Sequence, residues 1–308
     1  MKHIVVIGLG GVGGYFGFKI NQANSNKHQV SFIARGETFK KVSEHGLTLL
    51  SPEHPEKVTK PNAVLENISE IKTPDLVLVC VKEYDLENVC QQLATVITDD
   101  TIILPMMNGA DIYDRIRKVL PLNTILPSCV YVASHIKEKG IVEHKGKAGK
   151  LIFGRDPQHY SRDIDWVKAI ISDSGIHFSF KDNSLSEIWT KFIFIASFGM
   201  VTAKYNSSIG QVCNDPQQHK EAAAIMEEIK QIADRKNIEL NADIVVNTFE
   251  KAATFPPQTP TSLQLDVNTN KGANELELFA GAIIKYGTEV DVPTPATQKI
   301  YKEIKAGL

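Results

Sequence analysis

The sequence predicts an α/β first half followed by an all-helical second half. Apolar, β-branched runs at Ile4–Ile7, Gln29–Ala34, Asp75–Val81 and Thr101–Leu104 alternate with helical stretches, as in a parallel sheet with covering helices. A glycine-rich turn follows the first run directly. From Ser184 onward helical patterning persists and few strand signals remain. The boundary falls near Asp182, giving domains 1–182 and 183–308.

The glycine turn, Gly8-Leu9-Gly10-Gly11-Val12-Gly13, fits G-x-G-x-x-G between the first strand and a helix over Val12–Gln22. In that context the first glycine makes the tight turn. The second admits a pyrophosphate to the backbone, and the third lets helix and strand pack closely. The predicted first half is therefore Rossmann-like and nucleotide-binding.

Bulk composition excludes several classes. Of 308 residues, 43% are apolar and 23% charged, which suits a globular protein of about two domains. A net charge of −2 argues against nucleic-acid or membrane partners recruited by charge. Cys80, Cys90, Cys129 and Cys213 lack metal-ligand spacing, and Cys80 and Cys129 read as core residues. Met1 leads straight into the strand, so no signal peptide is expected. Apolar runs are broken short of a membrane span, and the expected compartment is the cytoplasm.

The second strand ends at Arg35, about 20 residues past the glycine turn, where the ribose 2′ position is read. A carboxylate there suits the 2′-hydroxyl of NAD. An arginine suits a 2′-phosphate, so the expected cofactor is NADPH/NADP+. A solvated surface arginine is the alternative, and neighbouring Glu37 weakens the inference. Gly46–Leu50 reads as a short strand and Ser51–Ala63 as a polar excursion. Lys82 follows the strand Asp75–Val81, ahead of a helix over Asp85–Ile97. It is a second cation for the phosphate or an exposed loop lysine. Asn108, in the turn after Thr101–Leu104, can bond both a ribose hydroxyl and a substrate oxygen, or serve the turn alone.

Thr124–Ser134, Gly140–His144, Lys150–Phe153 and His177–Phe180 read as strands, with a helix over Arg162–Asp173. His144 reads as structural or exposed rather than catalytic. Ser184-Leu185-Ser186-Glu187 resembles a capping box opening a long apolar helix through Val201. Further helices are expected over Pro216–Lys236, Ala242–Ala253, Asn274–Tyr286 and Thr297–Lys305. Lys191 lies in the apolar helix between Trp189 and Phe192-Ile193-Phe194-Ile195-Ala196. Facing a crevice, its desolvated ammonium is a proton donor; otherwise it snorkels to water. Glu275 can hold that lysine charged or simply favour a helix start, and Glu277 competes for the role. Ser262 can grip a carboxylate or act as a cap or turn residue.

The segments GLGGVGGYFG (Gly8–Gly17), VCVKEYD (Val79–Asp85), MMNGAD (Met106–Asp111), EIWTKF (Glu187–Phe192), SLQLD (Ser262–Asp266) and NELELFAG (Asn274–Gly281) together resemble the ketopantoate reductase (2-dehydropantoate 2-reductase) family, in its order, over nearly the whole chain. The resemblance implies a Rossmann-like domain and a helical domain, with NADPH and a 2-keto acid in a cleft between them. It implies Lys191 as the proton donor, with Glu275 near it and the cofactor. Asn108 would touch cofactor and substrate, Ser262 the substrate carboxylate, and Arg35 with Lys82 the 2′-phosphate. The implied reaction is ketopantoate to pantoate, in pantothenate biosynthesis. The chain is one residue longer than the family pattern between Asp266 and Glu275. It also departs four and eight residues after the lysine, where family asparagines are replaced by Ile195 and Gly199. A dehydrogenase for another keto or hydroxy acid, or a non-catalytic NADPH-binding regulator, are the alternatives. Expected partners are a small 2-keto acid and, as one option, a second copy of the chain in a homodimer, with neither nucleic acid nor membrane.

Overall fold

The computed structural model describes residues 1–268 and 274–307. The chain divides into two compact units. One comprises Met1–Asn108 and Ile112–Ser184; the other comprises Gly109–Asp111 and Leu185 onward.

In the first unit the strands are β1 (His3–Ile7), β2 (Gln29–Ile33), β3 (Leu47–Ser51), β4 (His54–Thr59), β5 (Ala63–Leu65), β6 (Leu76–Val79), β7 (Ile102–Pro105), β8 (Thr124–Ile125), β9 (Ser128–Glu138), β10 (Ile141–Gly154) and β11 (His177–Lys181). The helices are α1 (Gly11–Asn24), α2 (Gly36–His45), α3 (Glu83–Leu93), α4 (Ile112–Val119) and α5 (Asp165–Asp173). Six parallel strands form one sheet in the order β5-β2-β1-β6-β7-β8. β1 and β6 are buried throughout, which is why they read as continuous apolar runs. Strand order reverses between β1 and β6, and open α/β sheets bind ligands at the carboxyl ends beside such a reversal.

A second, mixed sheet runs β11-β10-β3-β4, with β9 antiparallel to β10. Helix α1 packs against strands of both sheets. A Cβ on Gly14 would come within 3.2 Å of Val142 Cβ, so the helix lies directly on β10.

Several elements differ from the sequence expectations. The strands expected at 140–144 and 150–153 are one strand, β10, whose register with β9 shifts between Lys145 and Lys150. The excursion after Ser51 holds β4, a mostly exposed hairpin partner of β3 whose polar residues give no apolar alternation. Helix α2 also lacked a signal, because Val42 is its one fully buried residue. Helix α3 starts at Glu83 and ends at Leu93, with Lys82 as its N-cap residue.

Asp156, after β10, is a polar hub. Its carboxylate accepts from Tyr113 Oη at 2.7 Å, Arg117 Nη2 at 2.5 Å, Ile125 N at 2.8 Å, Gln158 N at 2.9 Å and His159 Nδ1 at 3.0 Å. His144 is structural: its ring bonds Ser51 Oγ and the Lys147 carbonyl, both at 2.9 Å.

The second unit is built from α6 (Leu185–Tyr205), α7 (Ile209–Asn214), α8 (Pro216–Arg235), α9 (Ile244–Ala253), α10 (Ser262–Asn268), a π-helical turn (Glu277–Gly281), α11 (Ala282–Glu289) and α12 (Pro295–Ala306). Helix α6 is long and apolar enough to cross a membrane, contrary to the expectation that apolar runs stop short of that length. Of its most apolar stretch, 67% is buried within the protein. Ser184, expected to cap α6, donates its hydroxyl to the Pro127 carbonyl at 2.8 Å. The short helices α7 and α10 were not expected, since six or seven residues carry too little periodicity.

Glu228 of α8 caps α12 from a distance. It accepts from Ala296 N at 2.6 Å, Thr297 N at 3.0 Å and Thr297 Oγ1 at 2.6 Å. Glu228→Ala leaves those buried donors unmet and is expected to cost about 1–3 kcal/mol of stability. Urea unfolding checks this; a midpoint unchanged from wild type contradicts the capping role.

Candidate functional site

In the first unit, the carboxyl end of β1 runs into the glycine turn. Gly8 has φ +89°, and a Cβ there would lie 2.7 Å from the Cys80 carbonyl oxygen. Both conformation and space therefore require glycine. A Cβ on Gly13 would collide with the Gly8 carbonyl and lie 2.8 Å from Cys80 Cβ, so α1 meets the β1–β6 edge at glycine distance. Burial pushes the Cys80 thiol up to about 12, and it acts as an apolar residue beneath the turn. Above Gly10 the space is open: a Cβ there would meet nothing within 4 Å.

Gly10 is also the N-cap residue of α1, with no side-chain cap bond and no acidic residue in the first turn. Helix N–H groups and dipole are thereby left for an anion. These features fit a dinucleotide pyrophosphate over Gly8, Leu9, Gly10, Gly11, Val12 and Gly13.

A pocket of about 330 Å³ continues from this turn. Ile7–Gly10 line one side and Ile33–Arg35 another. Glu66–Ile68 close it after β5, and Asn88 and Gln92 of α3 complete the wall. The Arg35 side chain is 67% exposed, and its Nη2 lies 2.9 Å from Asp85 Oδ2. The nearby carboxylate engaging it is thus Asp85, while Glu37 pairs with Lys40 at 4.0 Å. Glu66 Oε1 accepts from Gly36 N at 3.0 Å, which fixes a second carboxylate at the pocket rim.

Sequence reasoning missed Glu66, Asn67, Asn88 and Gln92. Glu66 and Asn67 follow a three-residue strand with no readable pattern, and Asn88 and Gln92 lie on an expected helix whose pocket-facing side spacing alone does not reveal. Lys82 and Asn108 follow β6 and β7 at the same carboxyl edge, both half-buried. Among the described residues neither belongs to this pocket's lining.

In the second unit, Lys191 is 8% exposed, between buried Trp189 and Phe192. Trp189 stacks on Tyr286 with ring centroids 5.7 Å apart, and Phe192 meets Phe279 at 6.3 Å. Packing from the π turn and α11 therefore holds this part of α6.

Helix α10 lies along α6, and its N-terminus is pinned there. Thr261 Oγ1 sits 2.6 Å from Thr202 Oγ1. Thr261 and Gln264 form the capping pair, Gln264 N on Thr261 Oγ1 at 3.3 Å and Thr261 N on Gln264 Oε1 at 3.4 Å. The cap is therefore Thr261. Ser262 opens α10 with an exposed side chain, as its first residue rather than its cap.

The two candidate carboxylates separate clearly. Glu275 precedes the π turn and is 4% exposed. Glu277 points outward, accepting from Tyr301 Oη at 2.5 Å and pairing with Lys305 at 2.9 Å. The extra residue expected between Asp266 and Glu275 falls partly at 269–273, outside the described residues.

The structure thus gathers the glycine turn and Arg35 around one pocket in the α/β unit. Lys191, Ser262 and Glu275 belong to the helical unit.

Comparisons with known proteins span nearly the whole chain. Residues 4–158 match the family model "Ketopantoate reductase PanE/ApbA", and residues 183–307 match its C-terminal counterpart. A 2-dehydropantoate 2-reductase of Mesorhizobium japonicum is 24% identical over 96% of this chain and 95% of its own length. A crystal structure of a PanE/ApbA family ketopantoate reductase from Ralstonia eutropha superposes with a TM-score of 0.88 at 23% identity, covering 99% of this chain and 97% of that one. A D-mandelate dehydrogenase in a ternary structure with NADH and anilino(oxo)acetate superposes with a TM-score of 0.86 at 23% identity and the same coverage. With both family models matched, the chain belongs to the ketopantoate reductase family of oxidoreductases.

Proposed function

We propose that this protein reduces a 2-keto acid to the 2-hydroxy acid with NADPH, with ketopantoate to pantoate as the reference reaction. The observation that carries the reading is Lys191, an ammonium group almost wholly buried in an apolar helix of an oxidoreductase. Burying a cation is costly unless it is paired, hydrogen-bonded or used in chemistry.

When bound, the nicotinamide supplies a hydride to the keto carbon. The chain's own residues do the rest. Lys191 stabilises charge developing on the keto oxygen, gives it a proton, and is reprotonated from water. Glu275 keeps Lys191 charged. Ser262 holds the substrate carboxylate and Asn108 orients the reacting groups. The Gly8–Gly13 turn and the α1 N-terminus hold the pyrophosphate. Arg35, with Lys82, takes the 2′-phosphate after leaving Asp85. The reading calls for neither nucleic acid nor membrane and goes with a cytoplasmic location; a homodimer is the assembly to look for by light scattering.

The carboxylates around Arg35 favour a second cofactor reading. Asp85 already engages the guanidinium, and Glu66 at the rim can accept from a ribose hydroxyl, as NADH offers. Fluorescence titration of both nucleotides decides. With NADPH as cofactor, Arg35→Ala weakens its binding by about tenfold and NADH binding hardly at all. Equal loss for both removes the 2′-phosphate role. Turnover of ketopantoate and other 2-keto acids, followed by NADPH oxidation, tests the reaction itself.

A further inference from the structure

The pocket beside the glycine turn has a wall that the ribose and phosphate contacts do not use. Its volume of about 330 Å³ lies near the low end for small-ligand sites, about 300–1,000 Å³, and suits one half of a dinucleotide. Arg35, at the end of β2, marks that half as the one whose ribose 2′ position is read. The base on that ribose is the group still to be placed.

Helix α3 supplies the wall. Asp85, Asn88 and Gln92 stand three and four residues apart, so they follow one another on one face in successive turns. Asp85 meets Arg35 at 2.9 Å, and Asn88 and Gln92 continue the stripe along the pocket. Gln92 Nε2 donates to Asn88 Oδ1 at 3.2 Å. That bond sets both amides. Asn88 presents its NH₂ group and Gln92 its carbonyl oxygen, a donor beside an acceptor. Ile33, Ile68 and Val89, each at most 5% exposed, line the same pocket and offer apolar surface to a flat ring.

We infer that Asn88 and Gln92 read the base of the cofactor and select a 6-aminopurine. The inference rests on the reading of this pocket as half of a nicotinamide dinucleotide site. Adenine matches the two amides, because its 6-amino group donates next to an accepting ring nitrogen. Hypoxanthine carries a carbonyl oxygen in place of that amino group. Set against Gln92 Oε1, it would bring two acceptors face to face.

Nicotinamide hypoxanthine dinucleotides, the 6-oxo counterparts of NADPH and NADH, test this with the reducing end unchanged. Fluorescence of the reduced nicotinamide follows binding. Whichever cofactor binds more tightly is expected to have a Kd about tenfold below that of its 6-oxo counterpart, the worth of one such hydrogen bond. Asn88→Ala/Gln92→Ala should bring the two within about twofold, chiefly by weakening the 6-amino form. Gln92→Glu keeps the acceptor and should keep the preference, while its added charge weakens both nucleotides alike. An amide pair that served only the helix would leave the ratio unmoved in every variant. Both positions are exposed and alanine favours the helix, so the folded state persists. Equal affinity of the wild-type protein for both forms, or a preference that survives the double alanine variant, overturns the inference and leaves the nucleotide site intact. Binding of none of the four nucleotides overturns both.

Discussion

Lys191→Ala is expected to lower kcat by about 100- to 10,000-fold, the range for losing a positioned general acid. Nucleotide affinity should hardly change, because the glycine turn and Arg35 belong to the other unit. On the proposed reading, the alanine variant removes both the proton source and the positive charge opposite the developing alkoxide. Lys191→Arg separates the two: it keeps a charge but holds its proton too tightly to donate well, so it should recover little of the lost rate. Stopped-flow measurement of the hydride step, beside a fluorescence titration of NADPH, reads both quantities. A kcat within about tenfold of wild type would mean that Lys191 is not the acid. Thermal melts of both variants establish that the folded state persists.

Asp156→Ala should destabilise the α/β unit by about 3–5 kcal/mol. The side chain is 0% exposed, and its partners come from α4, β8 and the segment after β10. Removing it strands Arg117, whose side chain is itself mostly buried. Burial alone would raise the Asp156 pKa. The Ile125 N–H, the Tyr113 hydroxyl, the His159 ring and the Gln158 N–H outweigh that and hold it below the ordinary carboxylate range.

A depressed folded-state pKa fixes the sign of the pH dependence. The contribution is fully present above the unfolded value, about 3.9, and is lost as pH falls through the folded value. Chemical denaturation from pH 7 down to pH 3 should therefore show wild type and Asp156→Ala converging in acid. Curves that stay parallel throughout would place the stabilisation elsewhere.

The parts legible in the sequence share a physical property: burial on every side or a strict steric demand. Strands β1 and β6 announced themselves because no residue in them faces water. The glycine turn did so because Gly8 and Gly13 admit no side chain. Elements with a single fully buried residue left no pattern, which is why α2 and β4 went unread. Pairings across the fold were also invisible. Nothing near Arg35 in sequence announces Asp85, and spacing alone favoured neither Glu275 nor Glu277. Their burial distinguishes them, since Glu277 is drawn outward to Tyr301 and Lys305.

Helix α1 has a further consequence for how the chain acquires its shape. Its first seven residues include four glycines, each costing about 1 kcal/mol of helical propensity relative to alanine. Such a segment does not hold a helix by itself in water. The β1 edge and strand β10 lie 134 residues or more apart at Ile7 and Ile141, and α1 packs against both sheets. The helix is therefore expected to mature late, after distant segments of the polypeptide have met. The end of the helix proposed to hold the pyrophosphate would form with it, so nucleotide capture is expected to await the folded α/β unit.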